Sequence, residues 1–336
     1  MQRLRVALVG CGLISGSHIE GFLQSANRAE IVVCCDTDLE KAQKAVAAVG
    51  GTARAVQDYA DILADPEIDA VDLCLPHHLH RDMTIAAARA GKHILCEKPL
   101  ALTPEDCDLM AAEAKAAGVV LMHGENMRTA EIAERGAALV REGQLGKIVG
   151  LQATYSHWQP DVLNKDWRTR PAESGGGHLM DGAIHFVDLL RHIGGDIATV
   201  QAMTAQFRPE LGAESEDTGV LNFRFVGGHL GQIFACHASR GRGASPLLTV
   251  FGMEGCLSIE ALGGNQALML FPNGKPAEVL MEKHDWHGTF ARQTRHFLDV
   301  IQEGVPLRST PEDGRENVRV ILAAYESVRT GREVTL

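Results

Sequence analysis

LRVALVGCGLIS, residues 4–15, sets the frame for reading this chain. A short, mainly apolar run breaks directly into Gly10-Cys11-Gly12-Leu13-Ile14-Ser15, and the residues beyond read as a helix. That is the dinucleotide pattern G-x-G-x-x-(G/A), with Ser in the last place. The first glycine makes the tight turn. The second lets backbone approach a pyrophosphate seated on the helix N-terminus, and the third position needs only a small residue for helix–strand packing. Asp36 ends the second apolar run, 21 residues past Ser15, where an acid accepts hydrogen bonds from the adenosine ribose hydroxyls. No Lys or Arg stands at 36–38, and Asp36 would repel a 2′-phosphate, so NAD is expected over NADP. Taken alone, the glycines also fit other Gly-rich βα turns, and Asp36 a solvated strand end.

Working outward, LRVALV (4–9), IVVCC (31–35), AVDLCL (70–75), HILC (93–96) and VVLM (119–122) alternate with amphipathic stretches. Unbroken apolar runs suit strands buried on both faces of a parallel sheet. Thr37 to Glu40 reads as a capping box, and Thr103-Pro104 as an N-cap followed by Pro at the first helical position. After Gly143 the grammar changes. VQAMTAQF (200–207), VLNFRF (220–225), LGQIFACHA (230–238), LLTVFG (247–252) and ALMLF (267–271) follow without intervening helices, and Gly227-Gly228 is a hairpin signal. The expected fold is α/β. A Rossmann-type, doubly wound parallel sheet over 1–124 binds NAD(P). An α+β domain over 125–336 is built on an antiparallel sheet. Two helical stretches, 289–304 and 311–331, close the chain as packing elements.

The bulk numbers exclude other classes. With 336 residues, 45% apolar and 22% charged, the chain is an ordinary globular protein of two domains. A formal net charge of -11 without a Lys/Arg-rich run argues against nucleic acid. No apolar segment approaches the roughly 18 residues that span a bilayer, and MQRLRVALVG does not read as a signal peptide. Eight scattered cysteines with no C-x-x-C pair read as reduced, packed thiols in a cytoplasmic protein.

Two later motifs carry the chemistry. Glu97-Lys98-Pro99 lies at the carboxyl end of an expected parallel strand, the edge at which open α/β sheets bind ligands. A lysine there donates to a substrate hydroxyl, and Pro99 holds Lys98 extended, so that the amine is aimed. An exposed Lys-Pro turn fits the spacing equally well. The second motif is GGGHLMDGAIHFVDLL (175–190). Asp181 and His185, four apart, share one helix face, and Leu179, Ala183, Ile184, Val187 and Leu190 form an adjacent apolar face. Gly182 costs about 1 kcal/mol relative to Ala inside a helix; close approach of a substrate or nicotinamide is the functional compensation. Gly194 is a C-terminal stop. His178, Asp181 and His185 are competent metal ligands, and His284 and His287 add two more. No tight convergence from other segments is legible, and no metal is expected.

The order GCGLIS (10–15), CCDTD (34–38), LCLPHHLH (73–80), ILCEKPL (94–100), GGGHLMDGAIHFVDLL and PEDGRENVRVILAAYESVRTG (311–331) resembles the Gfo/Idh/MocA family of NAD(P)-dependent sugar and polyol oxidoreductases over nearly the whole chain. The resemblance implies a Rossmann domain followed by a domain with a large open antiparallel sheet, buried in a homodimer or homotetramer. It implies that the nicotinamide lies between Lys98 and the pair Asp181 and His185, without metal. The expected cofactor contacts are Gly10, Gly12, Leu13, Ile14, Asp36, Thr37, Pro76, His77, His80, Glu97 and Lys98; His77 stands where the family often has Asn. Expected substrate contacts are Lys98, Asn126, Arg128, Trp158, Trp167, Arg168, Asp181 and His185, a Trp stacking on a sugar face and Asn or Arg binding its oxygens. Core packing and surface ion pairs are the structural roles open to the same residues. His178 departs from the small or apolar residue usual at its place and reads as a polar contact near the pocket.

Oxidation of a secondary hydroxyl removes a hydride from carbon and a proton from oxygen. Histidine titrates near neutral pH and suits the proton acceptor. His185 is the expected base with Asp181 as partner, and Lys98 stabilises the developing alkoxide; Lys98 and His185 can exchange roles. Other readings are an NAD-retaining glycosidase of the same fold and a non-catalytic sugar or dinucleotide sensor.

Overall fold

The structure, a computed structural model, describes residues 3–158, 166–211, 215–240, 246–262, 265–284 and 288–336. The chain divides into two compact units, Met1–Thr129 with His287–Arg315, and Ala130–Trp286 with Glu316–Leu336. A linear division at 124 differs from this in the late helix Gly288–Glu303, which belongs with the first unit.

In the first unit, β1 (Leu4–Val9), β2 (Ala29–Cys35), β3 (Arg54–Val56), β4 (Ala70–Leu73), β5 (His93–Glu97) and β6 (Leu121–Gly124) form a sheet in the order β3-β2-β1-β4-β5-β6. Every pairing is parallel. The connecting helices are α1 (Ser15–Gln24), α2 (Leu39–Ala48), α3 (Tyr59–Leu63), α4 (His80–Arg89) and α5 (Pro104–Ala117). This is the doubly wound dinucleotide-binding order. Val6 through Val9 and all of Ala70–Leu73 are buried, as strands covered on both faces must be. The apolar side of α1 (Ile19, Phe22) shares a core with Phe297 and Leu298 of Gly288–Glu303. Thr103 caps α5, its side chain accepting from the N–H of Asp106, with Pro104 in the first turn. At α2 the expected box is displaced by one residue: Asp38, not Thr37, is the cap, and it accepts from the N–H of Glu40. A carboxylate makes the stronger, charge-assisted bond.

The second unit contains α6 (Glu131–Arg141), β7 (Ile148–Ser156), α7 (Pro171–Ser174), α8 (Ile184–Gly194), β8 (Ile197–Ala205), β9 (Thr218–Phe225), β10 (Leu230–Cys236), β11 (Leu248–Gly252), β12 (Gly255–Leu262), β13 (Asn265–Pro272), β14 (Glu278–His284) and β15 (Val334–Thr335). The strands make one nine-stranded sheet, β14-β13-β12-β11-β7-β10-β9-β8-β15. Its pairings are antiparallel except β7 with β10. Gly228, at φ +85°, turns the β9–β10 hairpin where the Gly-Gly pair predicts it. Val200, Leu221, Phe223, Ile233 and Ala235 point into the core. The alternate residues Met203, Leu230, Phe234, Phe251 and Phe271 face outward and are exposed, a one-sided sheet of period two. β7 and β12 were not expected, because polar residues and glycine interrupt their apolar positions, and β14 holds only the short run Val279-Leu280-Met281.

Candidate active site

In the first unit, the residues after β1 form the expected cradle. Gly10 has φ +88°, and a Cβ on it would sit 2.3 Å from the carbonyl oxygen of Cys74, so only glycine fits. A Cβ on Gly12 would meet nothing within 4 Å; this is open space at the start of α1, where a pyrophosphate has room to approach. Ser15 is buried and its hydroxyl donates to the carbonyl of Gly12 at 2.6 Å, which holds the loop shut. Asp36 accepts from the N–H of Cys11 (2.8 Å) and of Asp38 (2.9 Å). The expected ribose acceptor therefore also anchors the glycine loop. Leu13 is exposed at its tip and Ile14 begins α1, while Thr37 is exposed and its carbonyl accepts from Gln57. These features fit a dinucleotide.

At the carboxyl end of β5 lies Glu97-Lys98-Pro99, with a cis peptide bond between Lys98 and Pro99. Lys98 is half-buried and Pro99 buried, so the segment is not an exposed turn. Pro76 precedes a single 3-10 turn, His77–Leu79, that leads into α4. His77 is buried, and its ring meets His80 edge-on at 5.9 Å. His80 is fully buried, its Nδ1 2.7 Å from the carbonyl oxygen of Pro99 and its Nε2 3.0 Å from that of Leu75. Burial pushes its pKa down to about 4, so one N–H donates, and the shorter contact is to Pro99. The structure thus gives His80 the task of holding the lysine loop.

In the second unit, GGGHLMDGAIH enters α8 through a wide π-helical turn, Leu179–Ala183, rather than as one regular α-helix. Asp181 lies in the π turn and His185 in the first turn of α8; such turns recur at functional sites. The apolar face is as expected, with Leu179, Ala183, Ile184, Val187 and Leu190 fully buried. The entry is pinned by Glu216, whose carboxylate accepts from the N–H groups of Gly177 (3.0 Å) and Leu179 (2.9 Å) and from the hydroxyl of Tyr325 (2.8 Å). Burial pushes the Glu216 pKa up, and these three donors oppose that rise. A Cβ on Gly176 would stand 2.1 Å from the Tyr325 hydroxyl, and one on Gly177 would stand 2.1 Å from the Glu216 carbonyl. That explains the run of glycines.

Gly182 makes room for a neighbour within the chain. A Cβ there would meet Cε1 of His178 at 2.3 Å and Tyr155 at 2.9 Å. The His178 ring occupies that space, stacked on His237 (centroids 3.9 Å apart) and Tyr155 (5.4 Å), with His157 edge-on at 5.9 Å. His178 is therefore the centre of an aromatic stack. A cavity of about 20 Å³ is lined by Asp181, Arg168, His178, His237, Ser174 and Ser215 among others. Nε of Arg168 lies 3.7 Å from the Asp181 carboxylate. Nδ1 of His237 is buried with no hydrogen-bond partner among the described residues. Burial, resisted by Asp181, pushes the His237 pKa down to about 4. The folded state therefore refuses a proton that the unfolded chain takes up near pH 6.5. Stability is complete above that pH and declines as the pH falls toward 4, by up to about 3 kcal/mol. Urea unfolding of wild type against His237→Phe between pH 7 and 4 checks this; identical pH dependence in both would contradict it.

The remaining expected residues are placed as follows. Asn126 donates to Thr289, and Arg128 pairs with Asp313 at 2.9 Å, both buried inside the first unit. Trp158 carries the guanidinium groups of Arg208 (4.1 Å) and Arg240 (3.8 Å) against its ring, and Trp167 that of Arg168 (4.2 Å). Among the described residues the His, Cys, Asp and Glu side chains close enough to share a metal are His18, Asp72 and Cys74, not His178, Asp181 and His185. His18 spends both ring nitrogens on Asp72 and Glu97. The side chain of His284 and residues 285–287 lie outside the described residues. Sequence reasoning missed His18, Glu216, His237 and Tyr325, because each acts across a long sequence separation. The closing helix Pro311–Thr330 does more than pack, since its Tyr325 reaches Glu216 and its Asn317 donates to Asp188 at 2.6 Å.

Residues 4–125 match the description "Oxidoreductase family, NAD-binding Rossmann fold", and residues 134–258 the "GFO/IDH/MocA C-terminal domain". The chain is 32% identical over 254 residues, 75% of its length and 74% of the relative's, to 1,5-anhydro-D-fructose reductase of Ensifer adhaerens. It is 30% identical over 304 residues (88% and 89%) to D-xylose 1-dehydrogenase (NADP(+)) 2 of Haloferax volcanii. Among solved structures, levoglucosan dehydrogenase in complex with NADH and levoglucosan superposes with a TM-score of 0.89 at 25% identity, covering 99% of both chains. With its sheet order, its glycine loop and both domain matches, this chain belongs to the Gfo/Idh/MocA family of oxidoreductases and acts on CH–OH groups.

Proposed function

We propose that this protein is an NAD-dependent dehydrogenase that oxidises a secondary hydroxyl of a sugar, a polyol or a sugar derivative. The observation that carries the substrate side is Asp181, set in a cavity lined by Arg168, Ser174, Ser215 and His237 with His185 in the next turn. Asp181, Arg168, Ser174 and Ser215 each offer a hydrogen-bonding group that a hydroxyl can use. When bound, NAD accepts the hydride. The Lys98 amine donates to the reacting hydroxyl and stabilises the charge that develops on its oxygen, and His185 takes the proton while Asp181 orients the imidazole. Arg168 and Trp167 contribute to substrate binding in this reading. Asn126, Arg128 and Trp158 contribute through the residues they hold in place. The test is a screen of sugars, inositols and sugar acids with NAD and NADP, read as NADH or NADPH formation. Glycoside cleavage without net NADH would replace this reading with that of an NAD-retaining glycosidase.

NAD is favoured over NADP because Asp36 presents a carboxylate at the ribose position and is itself fixed by two backbone donors. Asp36→Ala lowers kcat/KM with NAD by about ten- to a hundredfold, the worth of one or two charge-assisted hydrogen bonds, and narrows or inverts the NAD/NADP ratio. An unchanged ratio would remove Asp36 from this role. We further propose a homodimer or homotetramer formed through the outward face of the nine-stranded sheet, on which Met203 is 75% and Leu230 54% exposed. Light scattering of wild type and Met203→Glu tests that. The eight free thiols, six of them buried, support a cytoplasmic location, and no helix of the described residues is long and apolar enough to cross a membrane.

A further inference from the structure

The interior of the first unit holds a charged network that the proposed reaction leaves unused. His18, in α1, is 1% exposed. Its Nδ1 lies 2.9 and 3.0 Å from the two carboxylate oxygens of Asp72 on β4, and its Nε2 lies 2.9 Å from Oε1 of Glu97, the last residue of β5. Ionised carboxylates only accept hydrogen bonds. A neutral ring would aim a lone pair at one of them, so both ring nitrogens carry protons and His18 is an imidazolium. Burial works against that charge, but Asp72 outweighs it and holds the His18 pKa well above the usual histidine range. The other groups facing the ring are the Cys74 thiol, pushed up by burial to about 12 and so neutral, and the ring of Phe290 at 5.5 Å.

The second oxygen of Glu97 accepts from the backbone N–H of Lys98 at 3.2 Å. On the other side of the lysine, His80 grips the carbonyl of Pro99. Lys98 therefore stands between two clamped neighbours, and one clamp is anchored on the helix that begins at the glycine loop.

We propose that His18 is a positioning residue for the dehydrogenase reaction: its imidazolium, fixed by Asp72, holds the Glu97 carboxylate and through it the orientation of Lys98 with respect to the glycine loop. The inference rests on the reading of Lys98 as the group that contacts the reacting hydroxyl. Without the imidazolium, Asp72 and Glu97 lose the charged donor that joins them. The Glu97 carboxylate is then no longer fixed in orientation, and the bond to the Lys98 N–H is no longer held.

The test uses His18→Gln, His18→Phe and the double variant His18→Gln/Glu97→Gln in the full chain. In His18→Gln, turnover falls between about ten- and a hundredfold, the effect of misplacing a catalytic group by roughly an ångström. The dissociation constant for NAD, measured by fluorescence titration, stays within about threefold of wild type, and KM for the sugar or polyol changes less than kcat. The pH profile of kcat shifts, because a buried positive charge beside Glu97 has been removed. The double variant recovers part of the loss, since two neutral amides can bond each other and still offer an oxygen to the Lys98 N–H. Lowered thermal stability with kcat and its pH profile unchanged would overturn the proposal and leave a purely structural salt bridge. Loss of NAD binding in proportion to turnover would also overturn it. If His18→Phe does not fold, the Gln variants carry the measurement. If wild type forms no NADH with any sugar or polyol, the dehydrogenase reading has failed, and the amide resonance of Lys98 in the isotope-labelled protein then tests the positioning by itself. That resonance moves in His18→Gln if the clamp exists and stays in place if it does not.

Discussion

Lys98→Met and His185→Ala, made separately, each lower turnover by about 10²–10⁴-fold, the usual contribution of a positioned acid or base, while NAD still binds. The expectation follows from where these side chains are not. Neither stands in the glycine loop or at Asp36, the features that fit the dinucleotide. Lys98 sits at the end of β5 between residues held by hydrogen bonds. His185 begins α8 on the end whose entry is pinned by Glu216. In the proposed mechanism, loss of the amine removes a donor to the developing alkoxide and loss of the imidazole removes the proton acceptor, so both act on the chemical step. NADH formation with the best substrate from the screen, paired with NAD titration, decides the matter. Full activity in either variant would sink the assignment.

Gly182→Ala inverts a helix-propensity rule. At an ordinary helical site the change stabilises by about 1 kcal/mol. Here the new methyl would lie 2.3 Å from the His178 ring, which is held by stacking on His237 and Tyr155. Overpacking of this kind destabilises by about 1–3 kcal/mol, and it strikes the turn that carries Asp181, so turnover falls with stability. His178→Ala in the same chain removes the obstruction. The double variant is then more stable than the sum of the single effects, a coupling that a mutant cycle reads directly. If thermal unfolding shows Gly182→Ala as stable as wild type, the stack is softer than its geometry.

Much of this was legible because it is local. The strand–glycine–helix unit, the acid at the end of β2, the Thr103-Pro104 helix start and the hairpin at Gly227-Gly228 each depend on residues within a few positions of one another. Turn and capping chemistry work at that range. The apolar face of α8 was readable for the same reason. The reading failed where a residue a short distance away in sequence competes for the same task. Asp38 displaced Thr37 as the cap of α2, and the turn at Asp181 is π-helical, with the His178 ring packed against Gly182.

By itself, then, the amino-acid sequence determined the doubly wound sheet, the one-sided second sheet and the segments proposed to carry the chemistry, since periodicity and turn residues encode them along the chain. Only the tertiary structure decided what holds those segments. His18 reaches Glu97 across 79 positions, and Tyr325 reaches Glu216 across 109. A hydrogen bond formed at such separation leaves no period and no spacing in the sequence. It comes into being when the sheet brings the strand ends together, and the same closure converts His178 from a possible ligand into the ring that Gly182 makes room for.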